Sequence, residues 1–369
     1  MVLLSSILIS IYVFSILMMI AGWWNTSKLE NKGLNIRLSV VVPVRNEAEN
    51  IRNLLEDLFY QSISHDDFEV IVINDHSEDE TAEIVEAFIK EHPELNLQIH
   101  KNTGTGKKRA IWEGKTRATS LNIITVDGDC RVGPNWLKNY QRAFSHEDVK
   151  MVCGPVSFQE SRSILGRLQS LEFAGIIGMG AACLKYNMPS MCNGANLGFR
   201  KYAFDEVDGY ANNMEIPSGD DEFLMHKIHS EYPGSICFLK NRESIVYTSP
   251  QENLEDFIHQ RRRWASKWSY YEITSPKLMA VFVFMIYLSI LVTGILSIFG
   301  LFPWQIFLIQ ILAKLLVDSI YLGTMMRFFE KRLDPLVFFL MELIYPFYVV
   351  IFGILSNMGS YKWKGRKFT

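Results

Sequence analysis

Two long stretches of this chain, residues 1–27 and 278–313, carry no charged side chain, and they constrain what the chain can fold into more than any other feature. About 18 or more apolar residues in a row are enough to cross roughly 30 Å of hydrocarbon as a helix. The intervening residues 28–277 are rich in Asp, Glu, Lys and Arg, as a water-exposed domain requires. The mean hydropathy of +0.08 averages these two unlike parts. The expected organisation is an N-terminal anchor (1–27), a soluble domain (28–277), C-terminal membrane segments (278–358) and a basic tail (359–369).

The run from Val2 to Trp24 reads as an uncleaved anchor. No basic residue precedes it, and it ends in Gly22-Trp23-Trp24 instead of a small-x-small cleavage site. Lys28, Lys32 and Arg37 follow, so the positive-inside rule places the next domain in the cytoplasm, with the inner membrane of a bacterium as the expected setting. Five cysteines without a CxxC pair fit small buried residues in a reducing compartment better than a disulfide framework. A net charge of −3 and a pI near 6.3 argue against a nucleic-acid partner.

Leu38–Pro43 and Phe68–Ile73 are short β-branched runs that read as buried strands. Further strands are expected at Leu97–His100 and Ile123–Val126. Helices are expected at Asn46–Tyr60, at Thr81–Lys90 and through Trp112 and Ala118. This β-α-β alternation predicts an α/β domain with a mostly parallel central sheet, and ligands in such sheets bind beyond the carboxyl ends of the strands.

Those ends carry polar residues of one kind. Pro43-Val-Arg45-Asn-Glu47 follows the first strand, Asn74-Asp75-His76-Ser77 the second, and Asp127-Gly128-Asp129 the fourth. Two carboxylates flanking a glycine can hold Mg2+ or Mn2+ together with a diphosphate, and the metal would then neutralise a departing nucleoside diphosphate. Asp75 is placed to accept hydrogen bonds from a base or ribose. Gly104-Thr-Gly106-Lys107-Lys108 offers amides and ammonium groups to phosphates. Each feature also has an ordinary reading. Asp-x-Asp is common in turns, Asp75 suits a helix N-cap, and the Gly-Thr-Gly-Lys stretch has neither Walker nor dinucleotide spacing. It is their occurrence together, in the order one pocket needs, that carries weight.

Downstream, Cys192-Asn193-Gly194-Ala-Asn196 allows close approach of backbone to a ligand. Asp220-Asp221-Glu222 is at least a favourable helix N-terminus, and beside a sugar donor one of these acids can deprotonate an acceptor hydroxyl. Gln260-Arg261-Arg262-Arg263-Trp264 is at least a basic-aromatic interfacial helix, and it also suits a diphosphate and a stacked sugar.

The ordered set VVPVRNEAENI, VINDHSEDET, GTGKKRAI, VDGDC, CNGANLGFRKYAFDEVDGY, GDDEFL and QRRRW resembles the family 2 inverting glycosyltransferases of GT-A type. The likeness is to membrane-integrated members such as cellulose, hyaluronan and poly-N-acetylglucosamine synthases and ceramide glucosyltransferase, and it covers roughly residues 38–268. It implies a nucleotide-sugar donor, expected to be a UDP-sugar. Pro43, Arg45, Glu47, Asp75, Lys107, Asp127, Gln260, Arg261, Arg263 and Trp264 would lie around the donor, and Asp127 and Asp129 would hold the metal, Asp129 nearest to it. Asp221, the second acid of the ED-type motif, would be the catalytic base, and Asn193, Gly194, Asp220 and Trp264 would lie on the acceptor side. Asn74 stands where relatives often have a second Asp, which leaves the nucleobase open.

Three apolar stretches follow: Leu278–Phe299, Trp304–Met325 and Pro335–Met358. Lys314 and Asp318 fall four apart in the second and can pair on a helix. Glu342 and Pro346 interrupt the third. Counting spans puts the tail outside, whereas Lys362, Lys364, Arg366 and Lys367 favour the inside. The sequence leaves two solutions, a hairpin around Pro346 or a tail that breaks the rule. Ile164–Leu184, rich in Gly and Ala, is expected as an amphipathic helix on the membrane surface. The functional expectation is transfer of a sugar to a membrane lipid or lipid-linked glycan. The alternatives are a processive polysaccharide synthase and a non-catalytic scaffold that keeps the fold.

Overall fold

The computed structural model describes every residue except Lys28, Asn31, Leu34, Asn212, Pro217, 266–273, 356–360, Lys364, Gly365 and Thr369. Lys28 and Lys364, used above for topology, therefore lie outside the described residues. The chain forms two compact units. One comprises residues 26–159 and 189–249, the other residues 1–25, 160–188 and 250–369. The hydrophobic helix α1 (Val2–Asn25) belongs to the second unit.

The first unit is built on β1 (Leu38–Val44), α2 (Ile51–Phe59), β2 (Phe68–Asn74), α3 (Thr81–Glu91), β3 (Leu97–Lys101), α4 (Lys107–Arg117) and β4 (Asn122–Thr125). β1, β2 and β4 are buried on both faces, and their Val- and Ile-rich centres suit the inside of a parallel sheet. Next come β5 (Arg131–Val132), α5 (Trp136–Phe144), β6 (Met151–Cys153) and β7 (Val156–Phe158). After the excursion of α6 (Ile164–Lys185) into the other unit, β8 (Leu197–Arg200), α7 (Lys201–Glu206), α8 (Asp220–Glu231), β9 (Ile236–Phe238) and β10 (Val246–Thr248) complete it. Among the described residues the main sheet has the order β3-β2-β1-β4-β8-β6-β9. β1 pairs in parallel with β2 and β4, and β6 with β9, while β8 runs antiparallel between β4 and β6. The mostly parallel GT-A-like sheet expected from the sequence is present. Its order turns at β1 and β4, which opens a crevice at their carboxyl ends.

The first expected helix starts five residues late, at Ile51 instead of Asn46. Asn46 sits at φ 52°. The amides of Asn46, Glu47 and Ala48 donate to Ser77 Oγ, Thr81 Oγ1 and Asp79 Oδ2 at 3.0, 2.8 and 3.0 Å. Side chains from the loop after β2 thus capture the donors that would have entered a helix, and the first two strand ends are stitched together.

Asn196, fully buried, ties the sheet to what lies behind it. Its Oδ1 accepts from Trp136 Nε1 at 3.0 Å and from Tyr140 Oη at 2.8 Å, and its Nδ2 donates to Pro155 O at 2.7 Å and Ser244 O at 2.8 Å. Removing it leaves four buried polar groups without this partner. Asn196→Ala is expected to lower unfolding free energy by about 3–5 kcal/mol, because an unsatisfied buried group costs about 1–3 kcal/mol. Denaturant unfolding of the purified chain, read by the fluorescence of its core tryptophans, measures this.

In the second unit, α1 and α6 are joined by α9 (Leu254–Ala265), α10 (Thr274–Ile298), α11 (Trp304–Phe328) and α12 (Pro335–Leu355), then by the short antiparallel pair β11 (Tyr361–Trp363) and β12 (Arg366–Phe368). Among the described residues four helices are long and apolar enough to cross a membrane: Val2–Asn25, Lys277–Ile298, Trp304–Phe328 and Pro335–Ile354. α12 runs on through Pro346, so the hairpin solution does not hold.

α6 differs from the expected surface helix. Its buried residues, from Gly166 to Cys183, go all the way round. Its glycines explain how neighbours come so close. A Cβ on Gly178 would clash with Met325 Sδ, and one on Gly175 would meet Leu322 Cδ2 at 3.0 Å. Small residues let helix backbones approach in this way, and Tyr321 Oη seals the contact by donating to Gly175 O at 2.6 Å. The expected Lys314–Asp318 pair is made at 2.6 Å and extended: Glu342 of α12 also holds Lys314, and Tyr12 of α1 donates to Asp318 Oδ1 at 2.8 Å. Charges inside a span are thereby used to join three helices.

Candidate active site

The carboxyl ends of β1–β4, the turn before β8 and the start of α8 bring the sequence's candidate residues in the first unit together. β1 ends at Val44 beside Asn74, and Asn74 ends beside Lys101, so three strands stop at one level. Pro43 is tolerated near that end because the β4 ladder stops at Val41–Thr125, leaving no hydrogen bond on that side for Pro43 to lose.

A cationic side chain stands among acids there. Lys107, the first residue of α4, places Nζ 2.6 Å from Asp127 Oδ1 and 3.6 Å from Asp220 Oδ2. Burial works to lower its pKa, but Asp127, then Asp220, and more weakly Asp221, hold it above the ordinary lysine range. Asp221 is oriented by backbone: its Oδ2 accepts from Gly194 N at 3.0 Å and its Oδ1 from Glu222 N at 2.8 Å. Each oxygen keeps a further lone pair for a proton. The Gly194 turn is fixed in its turn by Thr125 Oγ1, which donates to Gly194 O at 2.8 Å, and by Asn193 Oδ1, which accepts from Ala195 N at 2.9 Å. Tyr210, buried close to Asp220 and Asp221, has its phenol pushed up mainly by burial and so stays neutral.

Gly128 is required by space, since a Cβ would lie 2.9 Å from Val44 Cγ1 and 3.1 Å from Glu47 Cγ. Glu47 therefore backs the Asp127-Gly-Asp129 turn, holding Asn50 Nδ2 at 3.2 Å as well. Asp129 Oδ2 accepts from Thr248 Oγ1 at 3.2 Å. Below the turn, Arg131 pairs with Asp57 through two bonds of 2.6 and 2.7 Å, which anchors β5 to α2. Among the described residues no group of three or more His, Cys, Asp or Glu side chains is arranged to hold a metal. Asp127 and Asp129 still supply the hard oxygen donors that fit Mg2+ or Mn2+ when phosphate oxygens complete the shell.

Several candidates also make contacts that shape the site's loops. The Asp75 carboxylate, buried, accepts from Gly106 N at 3.0 Å and from Asn102 Nδ2 at 2.8 Å, so it shapes the loop that delivers Lys107. Arg45 Nη1 donates to the carbonyls of Asp75 and His76, both at 3.0 Å, and Nη2 to Glu78. Lys108 donates to Asn213 O at 2.6 Å, over the ring of Phe223. Consecutive helical residues face about 100° apart, so only one of the lysine pair can serve the site. Asn102, Thr125 and Thr248 were missed. Asn102 was findable by applying the strand-end rule to β3.

Gln260, Arg261, Arg263 and Trp264 lie on α9, in the other unit. Arg261 is buried there. Its Nη2 is 2.7 Å from Glu172 Oε2 of α6, and its guanidinium sits over the rings of Trp264 and Phe257 at 4.5 and 4.8 Å. Trp264 also stacks on Phe173 at 5.9 Å. Arg261 is thus committed to packing α9 on α6. Glu172, its partner, carried no signal in the sequence.

Residues 39–207 match the family model described as Glycosyl transferase family 2. Poly-beta-1,6-N-acetyl-D-glucosamine synthase of Staphylococcus epidermidis is 25% identical over 240 residues, 62% of this chain and 53% of the synthase. Glycosyltransferase AglE of Haloferax volcanii is 31% identical over 121 residues, 33% of this chain and 40% of AglE. The chain thus spans about half the length of the synthase it matches. Among solved structures, mannosyltransferase PcManGT from Pyrobaculum calidifontis, in complex with GDP-Man and Mn2+, aligns over 97% of this chain and 100% of its own with a TM-score of 0.61 and 16% identity. At that identity the likeness concerns the fold.

Proposed function

The chain carries a family 2 glycosyltransferase domain over residues 39–207, and from this premise we propose that it transfers a sugar, with inversion, from a nucleoside diphosphate donor to a membrane lipid or lipid-linked glycan. The observation that carries the reading is the convergence of Lys107, Asp127, Asp220 and Asp221 at the strand ends. The proposed donor is a UDP-sugar, bound with Mg2+ or Mn2+ at Asp127 and Asp129. The bound cation would neutralise diphosphate charge as the leaving group departs.

The chain's own residues perform the remaining tasks. Asp221 takes the proton of the acceptor hydroxyl, whose oxygen forms the new bond to the anomeric carbon. The bond from that carbon to the diphosphate oxygen breaks, and its electrons leave with the nucleoside diphosphate. Lys107, adjacent to Asp127, supplies positive charge to the phosphates. Asp75 and Asn102 keep the loop that carries Lys107 in place. The four apolar helices support a membrane-bound protein with a membrane acceptor, and the basic residues Lys32 and Arg37 after the first of them support a cytoplasmic catalytic domain.

A second reading, a processive polysaccharide synthase, is favoured by the synthase relative. Membranes containing the chain, incubated with radiolabelled nucleotide sugars, separate the two. Label in the lipid extract supports single transfer, and label in high-molecular-weight polymer supports the synthase. Label in neither, across UDP- and GDP-sugars, would sink both.

Gly194→Ala tests the packing of the site. The added Cβ would lie 2.8 Å from Asp220 Oδ2 and 3.2 Å from Lys107 Nζ, so both charged groups must shift. Displacement of catalytic groups by about 1 Å can cost roughly 100-fold, and a loss of about that size in transfer rate is expected with the melting temperature little changed.

A further inference from the structure

The position of Lys107 points beyond phosphate binding. Its ammonium lies between Asp127 of the Asp-x-Asp turn and Asp220 of the α8 acids, 2.6 and 3.6 Å away. The bare Cα of Gly194 closes one side of that seat, since a Cβ there would be 3.2 Å from Nζ. Asp127 is thus already neutralised by an internal cation. Asp129, the other expected metal ligand, is held separately by Thr248. A divalent cation approaching the donor-free protein meets one available carboxylate and one engaged by lysine, and it meets the repulsion of the ammonium itself.

We propose that Lys107 is an internal competitor of the divalent cation, which makes metal binding conditional on the nucleoside diphosphate. Without donor, the lysine occupies Asp127. An arriving diphosphate gives the ammonium a second partner, draws it off the carboxylate, and frees Asp127 for the cation. Metal and nucleotide then bind with strong positive coupling, which is reciprocal by thermodynamic necessity. Asp220, the residue before the base Asp221, shares the same ammonium. The proposal rests on the reading of the site as a nucleotide-sugar site, but its test requires no turnover.

The test is Mn2+ binding to the full-length protein in detergent, followed by electron paramagnetic resonance, with and without UDP and, separately, GDP. In the wild type, Mn2+ alone is expected to bind weakly and at least one of the nucleotides to tighten it. In Lys107→Met, Mn2+ alone should bind about 10-fold tighter or more, and the nucleotide's effect should shrink, as expected when a competing charge is removed and the coupling with it. Lys108→Met is the control for general charge, because it removes a neighbouring ammonium whose observed bond is to Asn213 O. Unchanged Mn2+ affinity in Lys107→Met, or an equal gain in Lys108→Met, overturns the proposal. Lys107→Gln, which keeps a polar group, guards against a folding defect in the Met variant and should show the same gain. Failure of the enzymatic reading shows itself differently: no donor is consumed even though the Mn2+ competition is present.

Discussion

Asp221→Asn is expected to leave nucleotide binding within about twofold of the wild type and to reduce transfer by roughly 1,000-fold, within the range a positioned general base contributes. The substitution preserves shape, and the new amide oxygen can still accept from Gly194 N, as Oδ2 does now at 3.0 Å, while the amide nitrogen cannot accept from Glu222 N as Oδ1 does. The capacity to take a proton is lost. Parallel measurement of UDP binding and of initial transfer rate separates the two effects. A rate near that of the wild type would remove Asp221 from the mechanism. A matching loss of nucleotide affinity would recast it as a structural residue.

Chelation is the second large effect. Stripping divalent cations is expected to abolish transfer, and Mn2+ or Mg2+ to restore it, because Asp127 and Asp129 offer only carboxylate oxygens to a leaving group that carries several negative charges. Asp129→Ala should lose about 100-fold or more of the restored activity, in the range expected when a principal electrostatic contact in the transition state is removed. It should also need higher Mn2+ to reach half-maximal rate. Asp57→Ala is the structural comparison. It breaks the two bonds to Arg131 beneath the same turn and should lower stability more than it changes the metal requirement. Full activity in the presence of excess chelator would mean that lysine and backbone alone carry the leaving-group charge.

Much of the site was legible in the sequence because it lies where parallel strands end. Leu38–Val44 and Phe68–Asn74 are mostly apolar, β-branched runs of strand length, interrupted by Ser39 and Glu69, so the cluster of polar residues after them is conspicuous. Asp127, Lys107 and Asp221 were named from that logic and from the family likeness, and the fold brings them together. What escaped was decided by tertiary competition. Asn46–Asn50 has helical spacing, but the amides of Asn46, Glu47 and Ala48 are taken by Ser77, Thr81 and Asp79 from the segment after β2. The strands β5 to β10 are two to four residues long, too short to show a period, so the antiparallel insertion of β8 had no local signal.

The partners of the long cations are the hardest to read from sequence, because they lie far away along the chain. Lys108 was taken with Lys107 as a pair, yet one faces Asp127 and the other a backbone carbonyl at Asn213. Arg261, expected at the diphosphate from its motif, is buried with its guanidinium against Glu172. α6 looked amphipathic from its few charges. Its Gly175 and Gly178 actually serve close packing, which removes the exposed face.

The central claim is a single displacement at the Asp221 side of the strand-end cluster, and the anomeric configuration of the product tests it most directly. With a chemically defined α-linked nucleotide-sugar donor, nuclear magnetic resonance of the isolated product is predicted to show a β-glycosidic bond, formed in step with release of one nucleoside diphosphate. An α-linked product would contradict the account, because it requires either two displacements or a front-side attack that gives Asp221 no role as base.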